Sequence, residues 1–186
     1  MGQTKLLIVE DEFIVAANLQ ADLEDQGYTV VGQADSGEEA LALAADRRPD
    51  LALMDIRLKG GMDGVETARR LRQELDIPVI FLTAYADERQ LERVTHCEPL
   101  GYLLKPYEPR ELRAIVDIAL YRLVMERRLK ESEDRLDLAI KGTNAGLLDW
   151  QVQTGQIVIN ERWAEVVGYT REELAPVSAQ TWANLC

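Results

Sequence analysis

The first 120 or so residues alternate five times between a short apolar run and a longer amphipathic one, and few folds accommodate that pattern. The runs Lys5 to Val9, Thr29 to Gln33, Leu51 to Met54, Val79 to Leu82 and Gly101 to Leu104 read as strands. Between them, Phe13 to Gln26, Gly37 to Asp46, Gly64 to Glu74 and Asp87 to Cys97 carry helical spacing, and a fifth helical pattern starts at Pro109. Strands that are apolar on both faces and separated by helices predict a parallel sheet covered on both sides, because parallel neighbours need crossover connections. The expected fold is therefore a doubly wound α/β domain with a five-stranded parallel sheet.

In such sheets, chemistry collects outside the carboxyl ends of the strands. Polar groups stand at those ends here: Glu10 and Asp11 after the first strand, Asp55 after the third, Thr83 after the fourth and Lys105 after the fifth. Singly, an acid at a strand end is more often a helix cap or a solvated loop residue, and Lys-Pro is usually a turn. As a set they predict one cleft holding three carboxylates, a hydroxyl and an ammonium. Crowded carboxylates call for a hard, oxygen-preferring cation, and Mg2+ (or Mn2+) suits a site that keeps room for phosphate oxygens. Asp55 could then act as a nucleophile toward phosphorus, with Lys105 and the cation neutralising the equatorial oxygens and Thr83 donating a hydrogen bond.

Composition narrows the alternatives. Apolar residues make up 47% of the 186 and charged residues 29%, ordinary for a folded globular chain. The net charge of −12 repels nucleic acid and anionic membrane surfaces, so neither is an expected partner. Cys97 and Cys186 belong to no CxxC or Cys/His cluster, which disfavours a zinc site or a disulfide framework and fits a reduced cytoplasm. The N-terminus turns acidic after a few apolar residues, unlike a secretory signal, and no window approaches the ~18 apolar residues of a membrane span. His96 reads as a surface or cap residue, and Cys97 as a partly buried thiol.

The segments LLIVEDE, LALMDIRLKGGMDG, VIFLTAYAD and GYLLKPYEPREL resemble the signature segments of bacterial response-regulator receiver domains over about Lys5 to Leu123. The resemblance implies a flavodoxin-like sheet in the order 2-1-3-4-5. It makes Glu10 and Asp11 the acidic metal pair, Asp55 the phosphoacceptor, and the Arg57 backbone carbonyl a further metal ligand. Thr83 becomes the switch hydroxyl, Lys105 the phosphate-binding lysine, and Tyr102 the aromatic switch that moves with Thr83. It also implies a cis Lys105–Pro106 peptide. Arg57 and Tyr85 fall at the variable positions that govern how water reaches an aspartyl phosphate, and their bulk predicts slow autodephosphorylation. The LKGGMDG loop is one residue longer than the commonest family pattern.

The implied partners are a sensor histidine kinase or phosphotransfer protein, and a second copy of the chain. The copy would pair through the fourth-helix, fifth-strand, fifth-helix face and the helix that follows. From Pro109 to about Ile140 that helix has no Gly or Pro breaker, and Ile115, Ile118, Met125, Leu129, Leu136 and Ala139 form a heptad seam interrupted by Arg122 and Ser132. The solvated single helix is the plain alternative. After Gly142, a hairpin is expected over Ala145 to Val152 and Ile157 to Ile159, then a short helix at Glu161 to Val167 and a capping-box start at Thr170 and Glu173. GTNAGLLDWQVQTGQIVINERWAEVVGYTREEL is similar to the first part of a PAS (sensory box) domain, with Trp150, Trp163 and Trp182 as core residues and no assigned cofactor.

The expected organisation is a receiver domain at 1–123, a helical or coiled-coil linker at 124–140 and an incomplete α+β PAS segment at 141–186. The expected function is non-enzymatic: a phosphorelay module that takes a phosphoryl group on Asp55 and relays a change through the fifth helix to a PAS or output region. The rival reading is a PAS-based sensor over a non-phosphorylated, receiver-like scaffold. An aspartate-nucleophile phosphatase would need a second Asp two residues after Asp55, where Arg57 stands.

Overall fold

Successive apolar residues such as Leu6, Leu7, Ile8 and Val9 bury both faces of one pleated segment, and all four are fully buried. The structure is a computed structural model describing residues 4–84 and 97–177. Its elements are β1 (Lys5–Val9), α1 (Phe13–Asp25), β2 (Thr29–Ala34), α2 (Gly37–Arg47), β3 (Leu51–Asp55), α3 (Gly64–Leu75), β4 (Val79–Thr83), β5 (Gly101–Leu104) and α4 (Pro109–Thr143). Four further elements follow: β6 (Leu148–Gln151), β7 (Gln156–Ile159), α5 (Glu161–Val166) and α6 (Arg171–Leu174). The helical pattern at Asp87 to Cys97 falls almost wholly outside the described residues, as do Tyr85, His96, Trp182 and Cys186. The chain divides into two compact units, Met1–Met125 and Glu126–Cys186.

In the first unit, five parallel strands pair in the order β2-β1-β3-β4-β5, as expected for a flavodoxin-like receiver. Alternate side chains feed two separate cores, because successive residues of a strand point to opposite faces. Leu7, Val9, Met54 and Phe81 pack with Ala40 and Ala44 of α2 and Ala68 and Leu71 of α3. Leu6, Ile8, Leu53 and Leu82 pack with Leu19 and Leu23 of α1 and Leu112 and Val116 of α4. Truncating a fully buried residue such as Leu53 to Ala would cost about 2–5 kcal/mol.

Two helices run one residue past their expected ends. Arg48 (φ 51°) and Asp76 (φ 55°) close α2 and α3 in the left-handed region, where glycine is the usual signal. Asp63 caps the other end of α3, its side chain accepting from the Glu66 N–H at 2.9 Å.

α4 is a single 35-residue helix whose buried residues are Leu112, Val116 and Ala119, all in its first third. Ile115 is partly buried against the sheet, whereas Ile118, Leu129 and Leu136 of the seam are exposed. No helix among the described residues is long and apolar enough to cross a membrane.

In the second unit, β6 and β7 pair antiparallel. Asn160 organises the N-terminal turn of α5. Its Oδ1 accepts from the N–H groups of Trp163 and Leu147, both at 2.9 Å, and its Nδ2 donates to the Ala145 carbonyl at 2.8 Å. The capping box at Thr170 and Glu173 is present at the start of α6. Trp163 packs on a small cluster of Ile157, Ile159, Ala164 and Leu174. Trp150 departs from the core role expected for it: it is 52% exposed, because every residue of β6 faces solvent in a sheet of only two strands.

Candidate functional site

The parallel register sets the carboxyl ends of β1, β3, β4 and β5 side by side. Asp55 lies opposite Leu82, and Thr83 opposite Leu104, so Asp55, Thr83 and Lys105 emerge along one rim. The backbone continues the pairing past the strands, with Glu10 N–H donating to the Ala34 carbonyl at 2.9 Å and Lys105 N–H to that of Thr83 at 2.7 Å. The Lys105–Pro106 peptide is cis.

At the centre of this rim, the Lys105 ammonium donates to Glu10 Oε2 and to Asp55 Oδ2, each at 2.5 Å. Asp55 Oδ1 accepts the Arg57 backbone N–H at 2.9 Å. A cleft of about 440 Å³ opens over this arrangement, lined by Glu12, Val15, Asp55, Ile56, Arg57, Thr83, Ala84 and Lys105. Glu10 lies beneath it, 3% exposed.

That burial pushes the Glu10 carboxyl above its ordinary range, and the hydrogen bond from Lys105 pulls it only part of the way back. Burial works against the charged form of Lys105 too, yet hydrogen bonds to Asp55 and Glu10 outweigh it and hold the ammonium above its ordinary value. The ammonium is the more secure charge of the pair, because two acceptors share it.

The expected site residues do not all converge. Glu10, Asp55 and Lys105 are in direct contact, Thr83 lines the same cleft, and Arg57 joins through its backbone. Asp11 pairs with Lys59 of the β3–α3 loop: Lys59 Nζ is 2.9 Å from the Asp11 carbonyl oxygen and 3.5 Å from Oδ2. Tyr102 is 38% exposed and stacks on Phe81, its register partner in β4, with centroids 6.3 Å apart. Cys97 is partly buried, with its thiol 3.5 Å from the Val65 carbonyl.

Sequence spacing singles out neither Lys59 nor Gly64. The Lys59 contact spans 48 positions, and no local pattern announces it. For Gly64 the signal is the residue type itself, since a residue without a β-carbon suits a point where the backbone must approach closely.

Among the described residues, no three His, Cys, Asp or Glu side chains cluster tightly enough to cage a metal ion. The donor chemistry still fits Mg2+, which takes only one or two carboxylates and keeps its waters. Asp11, Asp55 and the Arg57 carbonyl are hard oxygen donors at or just past the carboxyl ends of the adjacent strands β1 and β3, and Lys105 already neutralises Glu10.

The model of the response regulator receiver domain matches residues 6–117. The chain belongs to that family. Among solved receivers, the signal receiver domain of a modulated diguanylate cyclase from Desulfovibrio desulfuricans is 42% identical, covers 67% of this chain and 99% of its own, and superposes with a TM-score of 0.65. The N-terminal domain of a response regulator/sensory box/GGDEF three-domain protein from Carboxydothermus hydrogenoformans is 39% identical, with 67% and 98% covered and a TM-score of 0.59. Curated receiver-containing relatives include the transcriptional regulatory protein PdtaR of Mycobacterium tuberculosis, 32% identical over 63% of this chain and 57% of that protein. Another is the phyllosphere-induced regulator PhyR of Methylorubrum extorquens, 38% identical over 67% of this chain and 46% of that protein. The chain spans about half the length of these curated relatives. Residues 6–117 are thus a receiver domain of two-component signalling.

Proposed function

We propose that the receiver domain accepts a phosphoryl group on Asp55 from a histidine kinase or phosphotransfer protein and passes the change on through α4. The observation that carries this reading is the Lys105 ammonium held between Glu10 and Asp55, at the mouth of a cleft large enough for a phosphoryl group.

In this reading, Asp55 Oδ attacks phosphorus and the bond to the donor nitrogen breaks in line. The Arg57 N–H keeps the opposite carboxylate oxygen oriented. Lys105 moves its hydrogen bond from the Asp55 carboxylate to an equatorial oxygen of the phosphoryl group while remaining anchored to Glu10. Thr83, at the end of β4, donates to a second equatorial oxygen. A divalent cation held by Asp11, Asp55 and the Arg57 carbonyl would neutralise charge building on the transferred group.

Engagement of Thr83 would draw it toward the phosphoryl group and free space for the Tyr102 ring, which is half-exposed beside Phe81. That rearrangement would reshape the face carrying β5 and α4, the proposed surface for a second copy of the chain. The exposed seam at Ile118, Met125 and Leu129 supports pairing along the helix. The strand pair and capped helices of residues 141–177 support reading this segment as part of a sensory box, and a protein whose N-terminal domain is 39% identical is described as a response regulator/sensory box/GGDEF three-domain protein.

The test is incubation of wild type and Asp55→Asn with acetyl phosphate, with and without Mg2+, followed by intact mass measurement. One Mg2+-dependent phosphoryl adduct on wild type alone is expected. A folded wild type that gains no adduct would overturn the reading in favour of a non-phosphorylated scaffold.

A further inference from the structure

We infer that Lys59 is a built-in competitor for the divalent cation, an ammonium tethered over Asp11 that must leave before the cation is fully bound. The inference rests on the phosphoacceptor reading above and concerns what tunes its cation affinity.

Three observations converge on Lys59. It sits in the β3–α3 loop, and its backbone forms an isolated parallel bridge with Ser36, just beyond β2. Gly60, next in sequence, has φ 110°, a left-handed conformation that turns the loop back past the Glu38 carboxylate. The Lys59 side chain then reaches Asp11, donating to its carbonyl oxygen at 2.9 Å and standing 3.5 Å from Oδ2. Of Glu10, Asp11 and Asp55, Asp11 is the one held by neither Lys105 nor the Arg57 N–H.

Placing an ammonium and a divalent cation on one carboxylate sets like charges within a few ångströms, so binding one weakens the other. Lys59 is suited to yield. Its side chain is 71% exposed, and an exposed ion pair is weak enough to open readily. Lys105 does not share this role, because its ammonium stays on buried Glu10 when it turns to the phosphoryl group. The Lys59 contact thus makes cation binding weaker than the oxygen donors alone would allow, and links it to release of the Lys59 side chain.

The test is Mn2+ binding to the full chain without any phosphodonor, followed by the electron paramagnetic resonance signal of free Mn2+. Lys59→Ala and Lys59→Gln are expected to bind about three- to tenfold more tightly than wild type, the range that losing one exposed ion pair and one nearby positive charge implies. Lys59→Arg should retain wild-type affinity, and the gain should shrink as salt rises. Lys130→Ala changes the net charge equally from the exposed part of α4 and should leave affinity unchanged. Unchanged or weaker binding in folded Lys59→Ala and Lys59→Gln, or an equal gain in Lys130→Ala, overturns the inference while leaving the phosphoacceptor reading intact. A wild type that binds no Mn2+ overturns the cation reading and this inference together.

Discussion

A β-carbon placed on Gly64 would lie 1.9 Å from the backbone carbonyl oxygen of Asp55. The first residue of α3 is thus pressed against the last residue of β3, and the Gly64 N–H donates to the Ile56 carbonyl at 3.0 Å. Backbone atoms cannot swing aside as a flexible side chain can. Gly64→Ala is therefore expected to destabilise the receiver unit by about 3 kcal/mol or more, at the upper end of overpacking costs. Urea unfolding would show a lowered midpoint, and surviving folded protein should phosphorylate poorly because Asp55 has been displaced. A midpoint within error of wild type would mean that the strand end shifts freely.

Lys105→Met leaves Glu10 buried without its cation. At neutral pH the loss should be about 2–3 kcal/mol, below the full cost of breaking a buried pair because the Lys105 head is part open to water. The pH dependence carries the sign. Glu10 titrates higher in the folded chain than its ordinary 4.5, chiefly through burial. Its contribution is intact below 4.5, where the carboxyl is neutral in both states, and is lost as the pH rises through the folded value. Without the Lys105 hydrogen bond the folded value climbs further, so the deficit should be largest at neutral pH and narrow toward 4.5. Denaturation of both proteins across pH 4.5–7.5 checks this; a deficit that widens on acidification would contradict it.

The Tyr28 hydroxyl donates to Asp117 Oδ1 at 2.6 Å, joining the chain just before β2 to α4. Tyr28→Phe is expected to lose about 0.5–1 kcal/mol, the range for one partly solvated hydrogen bond. Burial and then the Asp117 hydrogen bond raise the phenol above its ordinary 10. Stability from this group is therefore complete below pH 10 and is lost as the pH climbs beyond it. Wild type should lose stability above pH 10 more steeply than Tyr28→Phe, as thermal melts in carbonate buffer would show.

Asn160→Ala removes all three side-chain hydrogen bonds that join Ala145, Leu147 and Trp163. Loss of an N-cap together with two further bonds should destabilise the second unit by about 2 kcal/mol. Hydrogen exchange at residues 145–165 should accelerate, while residues 5–9 and 51–55 stay as protected as in wild type. Equal acceleration throughout would show that the two units unfold together.

Much of this arrangement was legible in the sequence, for a physical reason. A strand buried on both faces has to be apolar at every position, so the start of β1 at Lys5 and its end before Glu10 stand out as changes of residue type. The Glu10, Asp55 and Lys105 contacts follow once those strand ends are aligned. What escaped depended on backbone geometry or on distant side chains. Arg48 and Asp76 adopt left-handed conformations that their residue types do not advertise, so helical spacing alone ends α2 and α3 one residue short. The Lys59 contact with Asp11 depends on a loop path set by Ser36 and Gly60, which no periodicity encodes. Trp150 looked like core because aromatics usually are; in β6 its face is uncovered.

α4 runs without a break from the receiver sheet to Thr143. Along such a rod, length is also an angle. Each residue added or removed within α4 would shift the helical phase of the α4 residues that follow by about 100°, whereas seven would bring it back to within about 20° of its starting direction. Chimaeras that graft another output onto this helix should therefore be compared by helical phase, since two junctions a single residue apart face directions more than a quarter turn apart on the same rod.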